Sequence, residues 1–219
     1  MPPGDLLIHA GDHSMMSWGR TAIMDYDGWL GSLPHKHKIV VGGNHDRWME
    51  DPVLRRFLTN ATVLIDEPIE VLGLRIWGSG ITSLAGEAFG IGSPAQRAKL
   101  YATIPDDVNI LITHTPPYGI LDRSPGSPHH SGCPELRAAV ERIRPQLHAF
   151  GHIHGAHGMQ SNEHTVFINA SMLGPDGDIA EQPIVLQDAE AVILTHGSAV
   201  KAPILGTDRV EHGLEAPHG

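Results

Sequence analysis

The sequence predicts a mixed α/β domain built in layers, and three observations predict it. Short apolar runs alternate with polar, helix-patterned stretches over most of the chain. The early order is strand, helix, strand, while the later half is rich in strands. A chain of 219 residues has room for one domain with a substantial core and is short for two. A single domain over residues 1–200 is therefore expected, followed by a loose, polar, unpatterned tail over 201–219.

The elements follow in order. Residues 6–10 read as a short buried strand, and 18–30 as a helix with Ser17 placed to cap it. Residues 38–41 form a second strand, ended by Gly42 and Gly43. Residues 50–57 are helix-like. Residues 69–72 and 74–77 flank Gly73 and pair as a hairpin. A helix is expected over 94–102, a strand over 109–113, a well-patterned helix over 135–143 and a strand over 147–150. Late strands are expected at 165–169, 183–186 and 191–195. Residues 121–132 and 174–182, rich in Gly, Pro and Asp, read as loops.

Composition excludes several function classes. Lys and Arg number 15 against 25 Asp and Glu, a formal net charge of −10. Such a chain is a poor non-specific binder of duplex nucleic acid or anionic membranes. No apolar run approaches the ~18 residues of a membrane span. The first residues, Met-Pro-Pro-Gly-Asp, lack the basic and apolar regions of a signal peptide. One thiol, Cys133, leaves no intramolecular disulfide and no multi-cysteine zinc site. Together these point to the cytoplasm. The 16 histidines are scattered, so they are no tag, and they point to metal chemistry.

Four segments share one design: a short apolar strand runs directly into Gly, His, Asp or Asn. They are Leu6 to Asp12, Ile39 to Asp46, Ile110 to Pro117 and Leu147 to His154. In open α/β sheets, sites form at the carboxyl ends of strands. If the four strands are neighbours, Asp12, Asn44, His114, His152 and His154 converge. Carboxylate, amide oxygen and imidazole suit Mn, Fe or Zn, one ion or two, better than Ca or soft metals. Two ions sharing a carboxylate activate water and clamp both oxygens of an in-line displacement at phosphorus. His45, beside Asn44, is placed to protonate a leaving alkoxide. No Gly-x-Ser-x-Gly nucleophile and no P-loop occur.

Gly11-Asp12, Gly43-Asn44-His45-Asp46, Thr113-His114 and Gly151-His152-Ile153-His154 resemble the ordered motifs of the calcineurin-like metallophosphoesterases. Trp77-Gly78-Ser79, Gly132-Cys133, Arg144-Pro145 and Ile168-Asn169-Ala170-Ser171 resemble its metallophosphoesterase-domain-containing branch, the small phosphodiesterase-like members. The resemblance spans residues 4 to 190. It implies an αββα β-sandwich of two mixed sheets flanked by helices. It also implies that Asp12 bridges two metals, that Asn44, His114 and His152 complete the second site, and that His154 serves the first. His45 then contacts the phosphate and assists the leaving group.

The family's opening motif, Asp-x-His at the end of its first strand, is not found before Asp12. The first strand of the fold is thus expected to be missing, and the first site keeps only Asp12 and His154. A start codon called too late, a natural mononuclear variant and a decayed relative all fit this pattern. His9 and His13 are candidate replacement ligands. The usual aspartate that orients the leaving-group histidine has no counterpart in Gly11-Asp12-His13-Ser14-Met15, and Asp46 is adjacent to His45. Asn169 is expected to prop the histidine loop by hydrogen bonds. Tyr118, Trp77, His129, His130 and His157 are candidate substrate contacts.

The expected activity is metal-dependent phosphodiester hydrolysis of a small phosphoester, such as a nucleotide, with Asp12, Asn44 and His45 as the catalytic set. The alternatives are a catalytically impaired metal- or nucleotide-binding relic and a histidine-rich metal buffer.

Overall fold

Two β-sheets carry the apolar runs of the chain in the computed structural model, which describes residues 1–13, 19–174 and 177–186. The first sheet holds β1 (Leu6–His9), β2 (His37–Val40) and β3 (Thr62–Val63), in that spatial order and all parallel. Leu6 pairs with His37 and His9 with Val40, so β1 and β2 end level and send their next residues to one edge. A parallel pair needs a long crossover, and α1 (Arg20–Ser32) lies within it. Its fully buried Ile23 and Leu30 cluster with Leu7, Val40, Trp48 and Met49.

The second sheet is mixed. It contains β4 (Glu67–Val71), β5 (Leu74–Ser79), β6 (Ile110–Thr113), β7 (Leu147–Phe150), β8 (Gly158–Ser161) and β9 (Val166–Asn169), in the order β4-β5-β6-β7-β9-β8. β5, β6, β7 and β9 run parallel, and β4 and β8 close the edges antiparallel. β4 and β5 form the expected hairpin. Its turn places Leu72 and Gly73 both at positive φ, 54° and 75°, as a two-residue type I′ loop requires.

On one face of this sheet, Trp77, Leu111, Phe150 and Phe167 pack with Tyr101 of α3 (Pro94–Tyr101) and with Leu136, Val140 and Ile143 of α4 (Pro134–Ile143). Strand alternation sends Ile76, Gly78, Ile110 and Ile112 to the other face. There a Cβ on Gly78 would stand 2.5 Å from Leu64 Cβ and 2.9 Å from Val41 Cγ1. Only glycine lets the two sheets close so tightly at this point. The layers therefore run helix, sheet, sheet, helix.

Helix starts follow local chemistry. Ser93 accepts the Gln96 N–H ahead of Pro94, and Pro134 opens α4, both favourable first-turn features. The helix expected over 50–57 is instead a 3₁₀ turn, Arg47–Glu50, followed by the four-residue α2 (Pro52–Arg55). Asp51 breaks the run by going extended and capping Val53 N–H, with Pro52 at the first helical position. Residues 183–186 are not a strand; Pro183 has no N–H to give a ladder. The polar edge strand β8 and the two-residue β3 escape sequence patterning because neither has a run of apolar residues. Ser17, the strand expected at 191–195, the limit at residue 200 and the tail over 201–219 lie outside the described residues. Among the described residues no helix is long and apolar enough to cross a membrane.

Candidate metal centre

Four strand ends deliver the site. β1 leads to Gly11 and Asp12, β2 to Asn44 and His45, β6 to His114 and β7 to His152. β1 and β2 are neighbours in one sheet, β6 and β7 in the other, so their carboxyl ends meet across the sandwich.

His114 is the hub and is almost wholly buried. Its Nδ1 lies 2.7 Å from the Ala10 carbonyl. A carbonyl only accepts, so Nδ1 carries the proton and Nε2 turns inward. Nε2 lies 3.1 Å from Asp12 Oδ2 and 3.1 Å from Asn44 Oδ1. The His152 ring stands edge-on to His114 with centroids 4.8 Å apart. One ligand atom each from Asp12, His114 and His152 lie within 4.8 Å of one another.

Strained backbone holds two of these groups. Asp12 has φ 57° and His152 φ 69°, left-handed conformations that cost non-glycine residues of order 1–3 kcal/mol. Crowding fixes the glycines beside them. A Cβ on Gly43 would stand 2.2 Å from Asp12 Oδ1 and 2.6 Å from His114 Cε1, and one on Gly11, at φ 93°, 2.6 Å from His114 Nδ1. The fully buried Asp46 clasps both loops. Its Oδ2 accepts Asp12 N–H at 2.7 Å and Gly43 N–H at 2.9 Å. Asp12 Oδ1 in turn accepts His45 N–H at 3.0 Å.

The electrostatics follow from this packing. Burial alone would raise the Asp12 carboxyl, but the hydrogen bond and charge of His114 and the His45 N–H outweigh it and hold it at about 2. Burial likewise works against the charged form of His114, and the contacts with Asp12 and Ala10 overcome it, so its pKa is raised. His152 is lowered to about 4, first by burial and then by the neighbouring His114. Asp12 Oδ2, Asn44 Oδ1 and His114 Nε2 thus point three acceptors at one spot. A second proton on His114 satisfies them, and so does a divalent cation. Such mixed oxygen and imidazole donors fit Mn, Fe or Zn, and the residues present fit such an ion.

The cluster opens on a cavity of ≈ 350 Å³. Asp12, Asn44, His45 and His152 line it, as do His154, Ser124 and Ile153. His154 borders the cavity without joining the Asp12, His114 and His152 group.

His13 faces elsewhere. Its Nδ1 bonds Asp46 Oδ1 at 2.8 Å, its Nε2 accepts the Trp48 Nε1–H at 3.0 Å, and its ring stacks on Tyr26. Both nitrogens are committed, so it does not serve as a replacement ligand here. His9 accepts the Gly11 N–H and is held at about 4, chiefly by burial. Trp77 belongs to the core and is almost wholly buried. Asn169, fully buried, donates from Nδ2 to the Leu121 and Ile153 carbonyls at 2.9 and 3.4 Å, joining two loops at the cavity. Cys133 is buried, and burial raises its thiol above the usual range. Three features carried no sequence signal: the Ala10 carbonyl, because backbone atoms are common to all residues; Ser124, in a loop; and Asp122, whose partners are remote in sequence or on the backbone.

A family model described as calcineurin-like phosphoesterase matches residues 2–156. The UPF0046 protein K07C11.7 of Caenorhabditis elegans is 36% identical over 201 residues, covering 84% of this chain and 68% of that protein. Metallophosphoesterase domain-containing protein 1 of Homo sapiens is 35% identical over 213 residues, covering 85% of this chain and 65% of the human protein. The chain therefore spans about two thirds of the length of these relatives. The solved structure of TT1561 from Thermus thermophilus shares the fold, with a TM-score of 0.54 at 13% identity over 76% of each chain. With this match over most of its length, and with motif residues gathered at four strand ends, the chain belongs to the calcineurin-like phosphoesterases, a family of metal-dependent phosphoester hydrolases.

Proposed function

We infer that the chain hydrolyses phosphodiesters, with Asp12, Asn44, His114 and His152 holding a divalent ion and with His154 available to a second. One observation carries the reading: three acceptors, from Asp12, Asn44 and His114, converge on one spot beside His152 at the floor of a cavity. An ion held there would acidify water and neutralise charge on the phosphoryl oxygens.

The chain's own residues do the rest. Asn44 and His45 sit side by side at the cavity wall, where a phosphoryl group meets them. The His45 imidazole gives a proton to the departing alkoxide, so the bond from phosphorus to that oxygen breaks as water's oxygen bonds phosphorus. Water supplies the hydroxyl to phosphorus and the net proton to the alcohol. The Asp46 carboxylate positions the backbone of Asp12 and Gly43 throughout. The proposed substrate is a small phosphoester, such as a nucleotide, met in the cytoplasm; the cavity size and the net charge of −10 support a small molecule over duplex nucleic acid.

The rival reading, a metal- or nucleotide-binding relic, draws on His154 bordering the cavity outside the ligand cluster. Hydrolysis of a chromogenic phosphodiester with and without added Mn²⁺ separates the two. Metal-dependent turnover that is lost in Asp12→Ala, together with metal binding, is the expected result. Binding of the ion without turnover in the parent chain favours the relic, and turnover unchanged in Asp12→Ala overturns the assignment.

A further inference from the structure

A second cavity of ≈ 380 Å³ lies beside the first along the same two loops. Arg123 lines it next to Ser124 of the catalytic cavity, and His157 lines it three residues after His154. Three residues of chain span at most about 10 Å, so one substrate of modest length reaches from one cavity to the other.

The walls of this second cavity are built, not incidental. Asp122 is 2% exposed. Its Oδ2 accepts Gly119 N–H at 2.8 Å and Gly132 N–H at 3.0 Å, and its Oδ1 takes the His130 Nδ1–H at 2.6 Å. The acid is thus spent on its own loop, and it fixes the His130 ring. Arg123 is fixed too, its Nε and one terminal nitrogen donating to the Ser127 carbonyl at 3.2 and 3.0 Å. His157 gives its Nδ1–H to the Ser171 carbonyl at 3.1 Å. Among the described residues nothing bonds Nε2 of either ring. In a chain of net charge −10, this cavity shows one exposed guanidinium and two imidazole edges, while its only carboxylate is buried.

We propose that the Gly119–Gly132 loop forms an anion subsite, in which Arg123 and His130 bind a second negatively charged group, a phosphate or carboxylate, on the part of the substrate remote from the scissile phosphoester. The bond from Nδ1–H to Asp122 leaves Nε2 of His130 as the ring atom that meets the ligand. Arg123 supplies a fixed charge on the same side. Charge-assisted bonds of this kind are the strong ones. The inference rests on the phosphoesterase reading for the identity of the first cavity, and it assigns the substrate class as a phosphoester carrying a second anionic group.

The test is calorimetric binding of a hexanediol bisphosphate and of hexyl phosphate to the full chain, Arg123→Gln and His130→Gln, with Mn²⁺ present. Both side chains are exposed, so the fold tolerates the changes. The bisphosphate is expected to bind the parent chain at least about tenfold more tightly. Each variant is expected to lose that advantage and keep its affinity for hexyl phosphate. Equal affinity of the two ligands for the parent chain, binding of neither, or an equal loss for both ligands in the variants overturns the subsite. Bisphosphate preference that depends on Arg123 and His130, in a chain that turns over no phosphodiester, upholds the subsite and removes the phosphodiesterase reading.

Discussion

At the scale of single residues, the site depends on atoms that are absent as much as on those present. Gly43 lies against Asp12 and His114 so closely that a methyl group would stand 2.2 Å from the Asp12 carboxylate. Gly43→Ala is expected to push Asp12 off its ligand position and to destabilise the fold by about 1–3 kcal/mol, as overpacking does. A Mn²⁺ titration reads the first effect, as weakened binding, and a melting curve reads the second. Unchanged ion affinity would show that Asp12 relaxes without cost. The ligand-type residues were legible from sequence because each follows a short apolar run. The strain was not legible: nothing in the letters assigns Asp12 or His152 a positive φ, which arises only when four strand ends crowd together. His13 shows the reverse limit. Its place beside Asp12 made it a candidate ligand, but Asp46 and Trp48, distant in sequence, claim both its nitrogens.

At the scale of elements, α1 is tied to the loop after α2 by one carboxylate. Asp27 Oδ1 accepts the Thr59 and Asn60 N–H groups at 2.7 Å each, and Oδ2 accepts Thr59 Oγ1–H and Asn60 Nδ2–H at 2.9 Å each. Its partial burial works to raise the pKa, but these donors prevail and lower it. A depressed folded-state pKa means that the stabilisation is present above the unfolded value of about 3.9 and is lost as pH falls through the lower folded value. Asp27→Ala is expected to cost about 1 kcal/mol at neutral pH once solvent screening is allowed for. Parent and variant stabilities should converge as the medium is acidified below that range; denaturant melts across pH check both statements. Helices 94–102 and 135–143 were legible to within a residue or two because each opens on a Pro at the first position, preceded in the first case by the capping Ser93. The 50–57 stretch misled because Asp51-Pro52 starts a new helix inside an apparently continuous pattern.

At the scale of the molecule, α3 and α4 cover the second sheet through one cluster centred on Leu136, Leu111, Phe150 and Trp77. Leu136 is fully buried there, on the face opposite the first sheet. Leu136→Ala is expected to lower stability by about 3 kcal/mol through lost burial and a cavity. Ion affinity should stay unchanged, because the cluster and the ligands lie on different sides of the sheet. A loss of both would tie core and site together more closely than the packing indicates. A layered mixed α/β domain was legible from the alternation of apolar runs with helical stretches, while the sandwich of two sheets was expected only from the family resemblance. The order β4-β5-β6-β7-β9-β8 was not, because β8 is too polar to announce itself and only pairing places it beyond β9.

The proposed ligands enter from positions 12, 44, 114 and 152, so they are far apart in an unfolded chain and adjacent only in the folded one. An ion held by all four acts as a cross-link that closes three long loops at once, in a protein whose single cysteine offers no covalent one. Because such an ion binds the native chain and is released on unfolding, it deepens the native energy well by mass action. Metallation and folding would then be read by the same thermometer: chelation, applied far from any substrate, would loosen both sheets where their carboxyl ends meet.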